Sequence, residues 1–93
     1  MAAYFVDLDG TTFRFGTNVF LPNARENLLA LKRAGHQIIF TTMRNDAADV
    51  RKVLKRAGLS AMIITGVQSP RVVINDDGAY AVNHQTDAPW NSV

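Results

Sequence analysis

Short apolar runs alternate along this chain with stretches that have helical periodicity. The runs Ala2–Val6, His36–Thr42 and Met62–Thr65 are rich in β-branched and aromatic residues and are typical of buried strands. Between them lie two amphipathic patterns. The first helix is predicted to begin at residue 22 or 23 and to end before Gly35, and the second to begin after residue 45 or 46 and to end before Gly58.

The order strand, helix, strand, helix, strand predicts right-handed crossovers and a parallel sheet. We therefore expect an α/β fold, a Rossmann-like open parallel sheet with helices on both faces. Arg71–Asn75 is predicted to be a fourth strand and Tyr80–Asn83 a fifth. Residues 13–21 mix aromatic residues with turn formers and predict a hairpin-like flap, whereas residues 84–93 predict an irregular C-terminal tail.

Length and charge narrow the class of protein. The 93 residues suit one domain, 1–93, with no room for a cap domain. A net charge of +2 is too small to predict a nucleic-acid partner. The chain contains no cysteine, which excludes disulfides and thiolate chemistry, and no apolar run long enough to span a membrane. We expect a soluble, cytoplasmic protein without a membrane partner.

Acidic side chains follow two of the predicted strands. Asp7 and Asp9 come after the first strand, and Asp76 and Asp77 after the fourth. Because the carboxyl ends of parallel strands share one edge of the sheet, these four carboxylates are expected to meet there. Their mutual repulsion, about 4 kcal/mol for two charges ~4 Å apart at an effective dielectric of ~20, favours a bound cation. Oxygen ligands without His or Cys predict Mg²⁺ as the cofactor.

The remaining polar residues at this edge suit a phosphate group. Gly10 allows the backbone to approach an anion closely, and a hydroxyl of Thr41 or Thr42 can donate a hydrogen bond to it. Arg44 or Arg71 could neutralise charge that develops during phosphoryl transfer. Of the two carboxylates after the first strand, one can attack phosphorus and the other can exchange protons with the leaving group and water.

Three segments resemble motifs of the haloacid dehalogenase superfamily of phosphatases. Tyr4–Thr11 matches its first motif, an apolar strand followed by Asp-x-Asp-Gly-Thr. Ile38–Arg44 is similar to the second, an apolar strand that ends in Thr-x-Arg, which favours Thr42 over Thr41. Val72–Asp77 is similar to the fourth, an apolar strand that ends in paired acids. The resemblance spans residues 3 to about 83, and the short interval between the first two motifs resembles that of capless members.

This resemblance implies a role for each matching residue. Asp7 would be the nucleophile and a Mg²⁺ ligand, and Asp9 the acid/base that also binds the metal through its backbone carbonyl. Phosphate would be bound by Asp7, Gly10, Thr42 and Arg71, and Mg²⁺ by Asp7, Asp9, Asp76 and Asp77. The third motif of the family is a Lys or Arg ahead of the fourth strand, and Arg71 is the basic residue in that interval. The register of the fourth motif stays open: if Asn75 holds the first acidic position of the family, Asp76 takes the second and Asp77 is peripheral, so Asp76 is a site residue either way.

The predicted function is that of a Mg²⁺-dependent phosphatase that hydrolyses a phosphate monoester through an aspartyl-phosphate on Asp7. An Asp-x-Asp-Gly segment can also open a calcium loop, but Thr12 and Asn18 occupy the positions where that loop needs Gly and Glu. Two alternatives remain: a Mg²⁺- and phosphate-binding module that has lost catalysis, and a phosphotransferase of the same superfamily. The expected partner is a small phosphorylated substrate, and a dimer or tetramer could cover the open site.

Overall fold

A three-stranded parallel sheet and two helices form the ordered framework. The computed structural model describes residues 1–91, so the last two residues of the predicted tail 84–93 lie outside the described residues. The elements follow the order β1, α1, β2, α2, β3. Their bounds are Ala3–Asp7, Ala24–Arg33, Gln37–Thr41, Ala48–Arg56 and Met62–Ile64.

The sheet has the strand order β1-β2-β3, and both pairings are parallel. Val6 of β1 lies opposite Phe40 of β2, which lies opposite Ile63 of β3. The predicted open parallel α/β sheet is therefore confirmed. Since the strands run in the same direction, their carboxyl ends lie at one edge, where Asp7 lies opposite Thr41.

One face of the sheet carries the hydrophobic core. Val6, Ile38 and Phe40 form a single buried cluster with helix residues such as Leu28 of α1 and Leu54 of α2. Both helices therefore pack on the same face, and the prediction of helices on both faces was wrong in this respect. Two successive right-handed crossovers that advance in the same direction across the sheet place their helices on one side. On the opposite face Phe5 and Met62 are 66% and 60% exposed.

Both helices end through the same local chemistry. Each has two basic residues in its last turn, which oppose the negative end of the helix dipole. Gly35 and Gly58 follow with φ values of 89° and 78°, a left-handed conformation that glycine adopts without steric cost. The chain can therefore turn sharply into the next strand, and this keeps β2 and β3 close to their helices.

The predicted fourth and fifth strands were wrong. Residues 71–75 and 80–83 form no strand, and Val72 and Ile74 are 81% and 96% exposed. A parallel connection needs about a dozen residues or more, usually with a helix. Only residues 65–70 lie between the end of β3 and Arg71, and they contain no helix. The segment therefore has the composition of a strand but no crossover that could bring it to the sheet.

Two irregular segments pack beside the carboxyl end of β1. In the predicted flap, Phe13 and Phe20 form an antiparallel bridge, and their rings meet edge to face at 5.0 Å. Residues 84–91 of the predicted tail contain no helix or strand, yet Trp90 packs against the core cluster. Within residues 1–91, no helix has the length and apolar character needed to cross a membrane.

Candidate active site

Asp7 is the last residue of β1 and lies at the carboxyl end of the sheet; the surface formed by Asp7, Asp9, Arg44 and Arg71 is called the crevice here. Its side chain is 32% exposed, so it can be reached from solvent. The Asp7 carbonyl oxygen accepts a 2.8 Å hydrogen bond from the hydroxyl of Thr12, which is fully buried. This bond fixes the turn that follows the strand, and with it the direction of the Asp7 side chain.

The surroundings of Asp7 have opposing effects on its acidity. Burial raises the pKa of Asp7 above its ordinary value of 3.8, and this is the largest influence. The nearby charge of Arg71 and hydrogen bonds from the Leu8 N–H and the Thr11 side chain act in the opposite direction. The net result is a raised pKa, which makes the ionised carboxylate a more basic nucleophile.

Asp9 is held by Arg44 from the segment after β2. The Arg44 Nε and Nη2 donate hydrogen bonds of 3.0 and 2.6 Å to the two carboxylate oxygens of Asp9. This bidentate contact lowers the pKa of Asp9 below its ordinary value of 3.8, although partial burial of the carboxylate acts to raise it. The Gly16 N–H also donates to Asp9 Oδ1, at 3.2 Å. In this arrangement Asp9 is ionised at neutral pH and both of its oxygens are occupied.

The flap fixes the other end of Arg44. The Arg44 guanidinium also donates to the Asn18 side chain at 2.5 Å and to the Thr17 carbonyl oxygen at 2.6 Å. Thr42 holds the backbone of Arg44, because its buried hydroxyl accepts a 3.0 Å hydrogen bond from the Arg44 backbone N–H. Arg44 therefore connects the flap, the end of β2 and Asp9 through hydrogen bonds.

The two threonines after the second apolar run have different positions. Thr42 is fully buried at the end of β2, whereas Thr41 is 9% exposed, belongs to the strand and lies opposite Asp7 in the sheet. Thr42 uses its hydroxyl as an acceptor from Arg44, which leaves the hydroxyl proton available for another partner. Its predicted role on phosphate stays a prediction.

Gly10 has the conformation that its position requires, but its N–H is engaged. Its φ is +82°, and a Cβ added there would lie 3.0 Å from Thr86 Cγ2. The Gly10 N–H donates to the Phe13 carbonyl oxygen at 2.7 Å. The N–H groups of residues 11–13 all donate to the Leu8 carbonyl oxygen. These N–H groups therefore close the turn upon itself and do not point at an anion.

Arg71 reaches the crevice although its segment forms no strand. Its Nη2 lies 3.3 Å from Asp7 Oδ1, and both side chains are about one-third exposed. The same nitrogen lies 3.5 Å from the Val67 carbonyl oxygen. Asp7 thus has one cation beside it, Arg71, and Asp9 has another, Arg44.

The structure does not bring Asp76 and Asp77 to the other two carboxylates. Both lie on the exposed segment after Asn75, and Asp76 hydrogen-bonds only locally, to Asn75 and to the Gly78 N–H. Among residues 1–91, no three Asp, Glu, His or Cys side chains are close enough to hold a metal ion. The predicted set of four carboxylate ligands for Mg²⁺ therefore does not fit this structure. The Asp9 carboxylate is held by Arg44 in a bidentate contact, whereas the Asp7 carboxylate has no bidentate partner.

Sequence reasoning missed several residues that shape the site. Thr12 had no predicted role in the site, yet it is completely buried and its hydroxyl donates to the Asp7 carbonyl oxygen. Asn18 and Thr17 hold Arg44, and no periodicity or motif marks a flap residue that reaches over a distant arginine. Asp87 contacts Phe15 and Trp90 contacts Thr11, in each case from more than seventy residues away along the sequence. Local sequence patterns cannot reveal such contacts.

Taken together, the crevice contains one partly exposed carboxylate of raised pKa, a second carboxylate of lowered pKa and two arginines. Such a set can bind an anion, attack it with a carboxylate and exchange a proton with it. A family model for haloacid dehalogenase-like hydrolases matches residues 4–90, which is nearly the whole chain. No curated protein and no solved structure matches it. The family match covers the sheet, both helices and both arginines of the crevice, and the chain therefore belongs to the haloacid dehalogenase-like hydrolases.

Proposed function

We propose that this hydrolase cleaves phosphate monoesters and that Asp7 is the nucleophile that forms an aspartyl-phosphate. The observation that carries this proposal is the position of Asp7: a partly exposed carboxylate of raised pKa at the carboxyl end of β1, with Arg71 3.3 Å away. The family match supports the same residue, because Asp7 begins the Asp-x-Asp-Gly-Thr segment within the matched range.

In the first step, a carboxylate oxygen of Asp7 attacks phosphorus and the bond from phosphorus to the leaving oxygen breaks. The leaving oxygen takes a proton from Asp9. In the second step, a water molecule attacks phosphorus, its proton passes to Asp9, and the bond between phosphorus and Asp7 breaks to release phosphate. Asp7 and Asp9 are restored, so the two steps balance.

Arg44 must move for Asp9 to act in this way. While Arg44 holds both of its oxygens, the pKa of Asp9 is lowered and it carries no proton at neutral pH. The phosphate group of a substrate offers Arg44 a second anionic partner. When Arg44 turns to the phosphate, the pKa of Asp9 rises, so that Asp9 can take up a proton from water and pass it to the leaving oxygen. Arg71 neutralises the phosphate from the Asp7 side.

The proposal includes Mg²⁺ dependence, since haloacid dehalogenase-like hydrolases generally use this ion. Mg²⁺ is often bound through one or two carboxylates together with substrate phosphate oxygens and water. Asp7 can supply one such ligand. Because the other predicted ligands are not gathered around it, neither step above is routed through the metal. The expected substrate is a small phosphorylated molecule that enters the open crevice.

The experiment compares Asp7→Asn with Asp49→Asn in an aryl-phosphate assay with Mg²⁺. Asp49 is an exposed carboxylate in the first turn of α2 and takes no part in the ion pairs of Asp7 and Asp9, so its variant is the matched control. We expect Asp7→Asn to lose at least about a thousandfold in kcat, because an amide cannot replace the attacking carboxylate. Asp49→Asn should retain full activity. Normal turnover by a folded Asp7→Asn protein contradicts the proposal.

A second candidate is a phosphate-binding module without catalysis. One observation favours it: the predicted catalytic set is incomplete. Arg44 binds both carboxylate oxygens of Asp9, and the other two predicted acids, Asp76 and Asp77, lie outside the crevice. This candidate predicts binding of inorganic phosphate by calorimetry, weakened by Arg44→Met, with no Mg²⁺-dependent turnover of aryl phosphates.

A phosphotransferase would use the same aspartyl-phosphate but pass the group to an acceptor other than water. The open crevice gives an added alcohol or sugar the same access as water. Product analysis with and without such an acceptor separates the two reactions, because a transferase yields more phosphorylated acceptor than free phosphate.

A further inference from the structure

The C-terminal segment 84–90, here called the strap, contacts the loop 10–15, which directly follows Asp9. The Asp87 N–H donates to the Gly10 carbonyl oxygen at 2.9 Å, and Asp87 Oδ1 accepts a 2.7 Å hydrogen bond from the Phe15 N–H. The Trp90 indole N–H donates to the Thr11 carbonyl oxygen at 2.5 Å. Two strap residues thus hold both ends of the loop 10–15, at Gly10 and Thr11 and at Phe15.

The far end of the strap is anchored beside helix α1. The Trp90 N–H donates to the Pro22 carbonyl oxygen at 2.9 Å, and the Asn23 side-chain amide donates to the Trp90 carbonyl oxygen at 3.3 Å. The Trp90 ring packs against the core cluster. The strap therefore has a fixed base from which to hold the loop.

The strap also has internal order. The Ala88 N–H donates to the Gln85 carbonyl oxygen at 3.0 Å, and a His84 ring nitrogen lies 2.8 Å from the Ala88 carbonyl oxygen. Asp87 adopts a φ of 61°, a conformation that non-glycine residues rarely adopt. Such a conformation persists when surrounding contacts determine it. Here those contacts are the two hydrogen bonds from Asp87 to the loop.

The loop held by the strap adjoins both site acids. The Thr12 hydroxyl, within the loop, donates to the Asp7 carbonyl oxygen, and the Gly16 N–H, directly after the loop, donates to Asp9 Oδ1. These groups lie beside or within the segment fixed by Asp87 and Trp90. A shift of this segment would therefore move the hydrogen-bond partners of both Asp7 and Asp9 together.

We propose that Asp87 and Trp90 are positioning residues, which hold the loop 10–15 in the geometry that the site needs. Neither residue touches the crevice carboxylates, so they act through Gly10, Thr11 and Phe15. This inference rests on the proposed phosphatase function for its kinetic consequences. Because misplacing a reacting group by about 1 Å can cost about a hundredfold in rate, loss of these contacts should lower kcat more than it raises KM.

The test separates the hydrogen bond of Asp87 from its backbone conformation. Asp87→Gly keeps the freedom to adopt positive φ but removes the acceptor, whereas Asp87→Asn keeps an oxygen acceptor and also tolerates positive φ. Trp90→Phe keeps an aromatic ring in the core but removes the N–H that reaches Thr11. Gln85→Ala is the control in the same segment, since Gln85 is exposed and uses its backbone carbonyl rather than its side chain.

We expect Asp87→Gly and Trp90→Phe to lower kcat about tenfold or more with little change in KM. Asp87→Asn should restore kcat, and Gln85→Ala should behave like the original protein. Melting temperatures establish that each variant is folded at the assay temperature. If folded Asp87→Gly and Trp90→Phe both keep the original kcat, the strap has only a structural role and the inference is wrong.

A readout without turnover distinguishes this inference from the proposed function. Hydrogen exchange of the Phe15 amide should be faster in Asp87→Gly than in Asp87→Asn or Gln85→Ala, because only Asp87→Gly lacks its acceptor. If the original protein shows no phosphatase activity, the proposed function fails, and faster exchange still supports the positioning contact. If exchange is the same in all variants, the strap does not hold the loop, whatever the activity.

Discussion

Two segments of similar composition have opposite fates in this molecule. Gln37–Thr41 and Arg71–Asn75 each place three apolar residues, mostly β-branched, between polar ends. The first is the central strand of the sheet, with Phe40 completely buried. The second forms no strand, and Ile74, the last of its apolar residues, is 96% exposed. Composition therefore does not decide between them.

The difference lies in the connections. Gln37–Thr41 follows a helix long enough to return the chain to the start of the sheet, so it can pair with β1 in parallel. Arg71–Asn75 follows β3 after only six residues, 65–70, which allow no such return. The consequence reaches the crevice, because the acids that follow the first strand lie on the framework, whereas Asp76 and Asp77 remain on the exposed segment.

The largest expected effect on stability comes from truncating one apolar side chain in each of these two segments. Phe40→Ala should lower the free energy of unfolding by about 3–5 kcal/mol, because it leaves a cavity beneath both helices. Ile74→Ala should change it by less than about 0.5 kcal/mol, because the side chain is already in solvent. Urea unfolding of both variants measures the difference. A large loss in Ile74→Ala would show that residues 71–75 do join a core.

A smaller effect is expected where β2 ends. Thr42→Val should cost about 1–3 kcal/mol, because the Arg44 N–H loses its acceptor beside a buried side chain. Thr65→Val, at an exposed position just after β3, is the control and should be close to neutral. Equal stability of the two variants in urea unfolding would contradict the role of Thr42 as a support for Arg44.

The contact between Arg44 and Asp9 should show itself in the pH dependence of stability. Because the folded-state pKa of Asp9 is lowered, its stabilising contribution is present above pH 3.8 and is lost as the pH falls through the folded pKa. Arg44→Met should therefore be less stable than the original protein near neutral pH, by about 1 kcal/mol. This gap should shrink in acid. A gap that stays constant with pH would assign the effect to packing alone.

The contribution of Asp7 to the pH dependence of stability should have the opposite sign to that of Asp9, and it should be the smallest of these effects. Its folded-state pKa is raised, so the folded protein loses stability as the pH rises from 3.8 through that raised pKa. In metal-free protein, Asp7→Asn should therefore be at least as stable as the original protein near neutral pH. Any advantage should disappear below pH 3.8. Urea unfolding across this pH range measures it, and a clear loss of stability at neutral pH would contradict the assigned balance between burial and Arg71.

The sequence was sufficient to predict the framework and part of the crevice. Periodicity and terminal glycines predicted both helices and all three strands, because these elements depend on local propensity and on a face that must be buried. The segment Asp-x-Asp-Gly-Thr predicted the position of Asp7 at the carboxyl end of β1. The predicted strand Arg71–Asn75 failed because a strand exists only with a partner, and partners depend on the length of the connections. The shortness of residues 67–70, too few for a helix, was the signal that could have prevented the error.

Contacts at long range could not be predicted in the same way. The pairing of Arg44 with Asp9, its support by Asn18, and the hydrogen bonds from Asp87 and Trp90 depend on how loops meet in space. No period or motif encodes them. The prediction that Gly10 is followed by N–H groups free to bind phosphate was reasonable from the residue types, but these groups close their own turn instead.

The central claim is that Asp7 carries the phosphoryl group during turnover. Acid quenching of the protein during aryl-phosphate hydrolysis, followed by borohydride reduction, converts an aspartyl-phosphate to homoserine, which peptide mass spectrometry can locate. We expect homoserine at position 7 in the original protein and in Asp49→Asn, and none in Asp7→Asn. Active protein that yields no homoserine at position 7, together with turnover by Asp7→Asn, would contradict it.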